Sequence, residues 1–339
     1  MNMASIAPGS VKLFGEHAVI YDRVGVSASF GRYATVRIVP ADSGKIEISL
    51  PDLGLYETFT EQNIKELHNS VDLAVSSKNH KRLHDLRQGS FALPFLYILG
   101  TAFVQKGFKP IRVDVRSEVP RRSGLGSSSS IFAALAEELS AHFKMGLSKQ
   151  GVAELANLGD IVVHGSPSGI DVNTCVHGGI LRFRKKEGIA PLISGKQVPV
   201  LIINTNVAKD TGEMIARVAK QYAEDKTGTD RIFDDMQEAA FAGIDALKNS
   251  DMVSLGAELG RAEKCFERLG LNTRETDDII TVAKKYGAYG AKISGAGGGG
   301  CVLAVAEEPA KLAPLFVKMG YPAFETKLGV EGVSHKEFV

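Results

Sequence analysis

The sequence predicts an α+β protein of two domains. Three observations carry this. The 339 residues exceed what one hydrophobic core ordinarily organises. The first half mixes strands and helices and the second is mainly helical, so strands lie apart from helix runs instead of alternating with them. A stretch with the Gly and Pro of a linker, LISGKQVP (192–199), precedes a buried strand, VLIINT (200–205). The expected division is 1–190 and 191–339.

Taken in order, VKLFG (11–15), YATVRIVP (33–40), KIEISL (45–50) and IRVDVRS (111–117) alternate or run apolar with β-branched residues, so each reads as a strand. Helices are expected near 91–106, 128–144 and 149–163. FALPFLYILGTAFV (91–104) is too short to span a bilayer and contains Pro94, so it reads as a buried helix. A strand near 178–185 sets Arg182 and Arg184 against Leu181 and Phe183, leaving one face wet. Beyond the linker, helices are expected near 211–223, 231–248, 251–268 and 275–286. The strand AKIS, the loop GAGGGG (295–300), the strand CVLAV, a helix near 309–319 and a strand near 333–338 complete the chain. No internal repeat of fixed period is present.

Apolar residues make up 44%, charged residues 23%, and the net charge is +1. Nothing in this balance points to nucleic acid or an acidic membrane surface as partner. The basic run SSKNHKRLHDLRQG (76–89) reads as a solvated loop or helix end. Cys175, Cys265 and Cys301 are few, odd in number and far apart, with neither CxxC nor zinc-ligand spacing. With no basic-then-apolar leader, a reducing, cytoplasmic setting is expected.

The most informative stretch is RRSGLGSSSSIFAALA (121–136). Ile131, Leu135, Leu139 and Phe143 recur every four residues, so a helix begins near the serines. Its first amides lack intrahelical partners and carry the positive end of the helix dipole, which makes an anion site. Gly124 and Gly126 let the backbone approach a phosphate, and the serines add hydroxyls for phosphate oxygens or a metal ion. The loop is not a Walker A sequence, since no GK[ST] follows. It reads as a cradle for a nucleoside triphosphate; a serine cap after a glycine turn is the plainer alternative.

Three further clusters bear on chemistry. Gly295 to Gly300 formally match GxGxxG, but a strand follows where a dinucleotide site needs a helix. These glycines read as a hairpin loop lying flat against another loop or a substrate, or as plain punctuation. DIVVHGSPSGID (160–171) joins two acids, Asp160 and Asp171, through a rigid Gly/Pro turn, as a site gathering a metal ligand and a base from one segment would. An acid after a turn is also a common cap. IAPGSVKLFGEHAVIYD (6–22) holds Lys12, a natural counter-charge for a γ-phosphate, then Glu16 and His17.

These pieces together resemble the GHMP kinases, the family of galactokinase, homoserine kinase, mevalonate kinase and phosphomevalonate kinase. Its three motifs occur in order, as APGSVKLFGEHAVIYD, RSGLGSSSSI and KISGAGGGGC, across nearly the whole chain. GEHAV followed by HGSPSGID is most similar to the mevalonate kinase branch. The resemblance implies a ribosomal-protein-S5-like N-terminal domain and a ferredoxin-like C-terminal domain with the site between them. It implies ATP-dependent phosphorylation of the primary alcohol of mevalonate, with Mg²⁺. Carried over by position, the ATP loop comprises Arg122, Ser123, Gly124, Leu125, Gly126, Ser127, Ser128, Ser129 and Ser130. Ser128 and Asp160 match the metal ligands and Asp171 the aspartate facing the substrate hydroxyl. Glu16, His17, Thr205, Thr211, Gly295, Ala296 and Gly297 fall beside the substrate. A homodimer is compatible with the family.

Two departures stand out. The family usually has a lysine directly after APG; here that residue is Ser10, and the lysine comes at Lys12. Strand residues two apart share a face, separated by about 6.6 Å, a gap a lysine side chain largely covers. Lys12 is therefore expected to neutralise charge on the transferred group and keep Asp171 ionised, the alternative being a surface strand residue. The family's metal-binding glutamate aligns with the shorter Asp160, and Mg²⁺ accepts few protein ligands. Two other readings remain: a kinase for phosphomevalonate, drawing on Arg182, Arg184, Lys185 and Lys186, and an inactive ligand-binding regulator.

Overall fold

The computed structural model describes residues 3–121, 123–193, 197–208 and 211–337. The chain opens on two long antiparallel strands, β1 (Met3–Phe14) and β2 (Gly25–Pro40), then a hairpin, β3 (Ile46–Leu50) and β4 (Leu55–Phe59). Helices α1 (Glu61–Ser76), α2 (His80–Gln88) and α3 (Leu93–Lys106) lead to β5 (Ile111–Ser117). Then come α4 (Ser127–His142), α5 (Lys149–His164), α6 (Ile170–His177), and a hairpin of β6 (Ile180–Arg184) and β7 (Gly188–Ile193). The remainder runs β8 (Val198–Asn204), α7 (Thr211–Glu224), α8 (Lys226–Asn249), α9 (Met252–Arg268), α10 (Arg274–Lys285), β9 (Ala288–Ser294), β10 (Cys301–Ala306), α11 (Pro309–Lys318), β11 (Ala323–Leu328) and β12 (Ser334–Glu337).

The α+β expectation holds. Among the described residues all strands join one sheet whose main path is β4-β3-β5-β2-β11-β8-β10-β9, and only β3 and β5 pair parallel. Along this path β11 joins β2 through one residue pair, Leu328 with Phe30, and the halves also meet where β12 pairs with β1. One core lies under α3, α4 and α5 and gathers Ile48, Leu96, Val113 and Leu135. Another, around Phe233, Phe266, Ile293 and Phe316, is built by α7 to α11 and the strands β8 to β10. Helix α3 is buried on nearly all sides, as its apolar sequence demands. Among the described residues, no helix is long and apolar enough to cross a membrane.

Several elements exceed the sequence reading. The run 76–89, expected as a solvated loop or helix end, contains a full helix, α2, capped by Asn79 and held to the core by Leu83. Strand β4 has no fully buried residue; Leu55 and Phe59 pack half-buried against the core, and pairing with β3 fixes the strand. β12 pairs with β1, off the main path, where β1 in turn pairs with β2. A buried cluster secures that pairing: Glu138 on α4 accepts from Ser5 Oγ (2.9 Å) and Ile38 N (3.1 Å), and His335 Nδ1 lies 3.0 Å from it.

Candidate active site

A cleft of about 980 Å³ runs between the N-terminus of α4, the start of α6 and the glycine loop after β9. Gly124 and Gly126 have φ of 77° and 65°, conformations that disfavour a side chain. Gly126 also cannot carry one for lack of room, since a Cβ there would lie 2.2 Å from Ser10 Oγ. It caps α4 with no side-chain hydrogen bond, leaving the helix end open to an anion. Ser127, Ser128 and Ser129 line the cleft. Ser130 turns inward onto Ser127 O (2.9 Å) and Ser123 onto Pro120 O (2.7 Å). Gly124, Leu125 and Gly126 also face the cleft, while Arg122 lies outside the described residues.

Asp160, on α5, is 3% exposed. Its Oδ2 accepts from Ser129 Oγ at 2.9 Å, with Ser128 beside it in the cleft wall. Its Oδ1 is buried with no hydrogen-bond partner. Burial first, and Asp171 second, push its carboxyl up to about 7, against the pull of Ser129, Lys12 and Ser128. A buried carboxylate oxygen without a donor, beside serine hydroxyls, fits a hard cation that takes oxygen ligands. Among the described residues no three His, Cys, Asp or Glu side chains form a metal cage, so a cation here would keep most of its waters.

Asp171 sits in the first turn of α6, just past Gly169 (φ 73°). The turn GSPSG ends in this helix, so the acid belongs to a rigid element. Lys12 Nζ donates to both carboxylate oxygens, at 2.7 and 2.6 Å, and Ser10 Oγ donates to Oδ1 at 2.6 Å. Burial would raise the Asp171 carboxyl, but Lys12 and Ser10 outweigh it and hold it below the usual carboxylate range. Burial likewise works against the charge on Lys12, and Asp171 more than restores it. Each side chain keeps roughly a quarter of its surface toward the cleft, 21% for Lys12 and 27% for Asp171, so the pair is reachable. Lys12 is thus no surface strand residue.

The glycine loop closes the other wall. Gly298 N donates to Leu271 O (2.7 Å), Gly300 N to Val207 O (3.2 Å), and Thr205 Oγ1 to Gly300 O (2.9 Å). A Cβ on Gly297 would strike Leu271, and one on Gly299 would strike Val207. The loop therefore lies flat against two others, and its glycines answer close approach rather than flexibility. Gly295, Ala296 and Thr211 face the cleft; Gly297 and Thr205 support the loop from behind. His17 Nε2 reaches Ala296 O at 2.8 Å, tying the N-terminal half to this loop.

Glu16 pairs with Lys292, both side chains at most 2% exposed. Lys292 also donates to Ile293 O (2.5 Å) and stands 4.4 Å over the Phe266 ring. Glu263 accepts from Ile293 N (2.8 Å) and Asn272 Nδ2 (2.9 Å), and burial pushes its carboxyl up to about 7. The second oxygen of Glu16 is buried without a partner in the cleft wall. Sequence reasoning missed Lys292 and Glu263; a lysine inside the apolar strand before the glycine loop was the available signal. It also took Ser10 as a missing residue, whereas the hydroxyl is a partner of Asp171. The opposite end of the cleft is apolar, walled by Leu50, Leu53, Leu55, Phe91, Phe95 and Val115, and suits a flat base.

Residues 96–179 match the GHMP kinases N terminal domain and residues 244–320 the GHMP kinases C terminal domain. With the fold and the cleft, this makes the chain a member of the GHMP kinase superfamily. Within it, the chain is most similar to mevalonate kinases. It is 29% identical over 350 residues to that of Thermococcus sibiricus, covering 100% of both chains. It is 29% identical to the mevalonate kinase of Aeropyrum pernix, covering 98% of each. The crystal structure of Methanococcus jannaschii mevalonate kinase superposes with a TM-score of 0.81 at 24% identity, over 97% of this chain and 98% of that one.

Proposed function

We propose that this chain transfers the γ-phosphoryl group of ATP to the primary hydroxyl of mevalonate, giving 5-phosphomevalonate and ADP. The observation that carries it is the Lys12–Asp171 pair, open to the cleft that the uncapped N-terminus of α4 also faces. The full-length similarity to mevalonate kinases supplies the substrate. Phosphoryl transfer passes through a loose transition state, so catalysis is mainly positioning and charge neutralisation. The α4 amides and serine hydroxyls hold the phosphates, Lys12 offsets charge on the transferred group, and Asp171 orients the alcohol and takes its proton. Mg²⁺, held by Ser128 and Asp160, would supply charge neutralisation on the phosphate oxygens.

Phosphomevalonate would need cations at the substrate end. Arg182 and Arg184 pair instead with Glu187, Lys186 pairs with Asp22, and neither they nor Lys185 line the cleft. An inactive regulator would not need the intact Lys12–Asp171 pair. A coupled ADP-release assay with mevalonate, phosphomevalonate and galactose decides among these readings. Turnover of mevalonate alone is expected. Asp171→Asn should lower that turnover by about 10²–10⁴-fold while ATP still binds. Near-normal turnover in this variant would remove Asp171 as the base.

A further inference from the structure

We propose that Ser10 is a positioning residue that selects Oδ2 of Asp171 as the atom taking the substrate proton and locks that carboxylate to the phosphate loop. The inference rests on the kinase reading above. Ser10 is fully buried on β1, and one residue makes both connections. Its N–H donates to Leu125 O at 3.1 Å, and its Oγ donates to Asp171 Oδ1 at 2.6 Å. Gly126, the cap of α4, lies so close that a Cβ there would stand 2.2 Å from Ser10 Oγ. The base and the anion-binding helix end are therefore registered through Ser10 rather than through flexible chain.

Counting donors then distinguishes the two oxygens. Among the described residues, Oδ1 accepts from Ser10 and from Lys12, whereas Oδ2 accepts from Lys12 alone. A carboxylate oxygen has about two acceptor positions, so Oδ1 is filled and Oδ2 keeps one lone pair. The alcohol donates its O–H there. As its oxygen forms the bond to the γ-phosphorus, the proton passes to Oδ2. The bond from the γ-phosphorus to the β,γ-bridging oxygen breaks, and ADP leaves with that electron pair. Asp171 then releases the proton to water. Lys12, two residues along the strand, contributes the charge, and the small hydroxyl at position 10 contributes the geometry.

The test compares Ser10→Ala with Ser10→Cys, the second keeping the volume while replacing the hydroxyl with a weak donor. Both are expected to lower kcat by about 10- to 100-fold, the range for losing a hydrogen bond to a charged group, with KM for ATP within about twofold. The Asp171 carboxyl, followed by ¹³C NMR and assigned with Asp171→Asn, should titrate at higher pH in both. Lys12 from β1, Asp160 and His164 from α5 and Cys175 from α6 are charged or titratable groups facing Asp171, and all four are unchanged in these variants. Wild-type kcat or an unmoved titration in a folded Ser10→Cys protein overturns the proposal. The titration needs no turnover, so it decides the role of Ser10 even if wild-type protein fails to phosphorylate mevalonate, a result that would sink only the substrate reading.

Discussion

Asp160→Asn separates the cost of folding around a carboxylate from the use made of it. In the fold, burial and the neighbouring Asp171 raise this carboxyl from 3.8 to about 7. At about 1.4 kcal/mol per pH unit, the ionised form costs about 4 kcal/mol of stability above pH 7. The sign follows from proton uptake. Between pH 3.8 and about 7 the folded state holds the proton more tightly than the unfolded chain, so stability falls as pH rises through this window. Asparagine removes that cost. It can still accept from Ser129, but its amide nitrogen would stand at the unpartnered oxygen, at a cost of about 1–3 kcal/mol. The variant should therefore be more stable than wild type by about 1–3 kcal/mol at pH 8 without nucleotide or metal, or about 1–4 °C for a chain of 339 residues. By pH 5 the advantage should shrink by about 2–3 kcal/mol. Urea melts of both proteins in chelator at the two pH values measure it, and groups common to both cancel in the difference. A stability difference independent of pH would refute the argument that Asp160 folds as a strained carboxylate.

Further outcomes follow from the same geometry. Glu16→Gln leaves the buried Lys292 without its counter-charge and should cost about 3–5 kcal/mol in chemical denaturation; an unchanged midpoint would show the pair to be dispensable. Gly126→Ala forces a side chain into a left-handed conformation against Ser10 and should destabilise by about 1–3 kcal/mol while weakening ATP binding, measured by calorimetric titration. Chelating divalent cations should abolish ADP release and added Mg²⁺ restore it, since Asp160 and Ser128 are poised for a cation; turnover that survives chelation would dismiss that assignment.

Where the signal is local, it was legible in the sequence. The start of α4, the two glycine clusters and the same-face relation of positions 10 and 12 are fixed by neighbours within a few residues, because helix periodicity, strand alternation and the steric freedom of glycine act at that range. Lys12 reaching a cleft acid was inferred from strand geometry, and the structure places it on Asp171, 159 residues away. Partnerships between distant segments were not legible. That Ser10 bonds Asp171, that Lys292 neutralises Glu16, that Thr205 braces Gly300 and that β12 pairs β1 depend on which elements the sheet sets side by side. Burial also acts only once the chain is packed. The same aspartate side chain is pushed up at Asp160 and held down at Asp171, because one has an oxygen with no donor and the other has three donated hydrogen bonds. The amino-acid order thus determined the parts and their chemistry, and the tertiary structure alone decided which charges meet and which stay ionised.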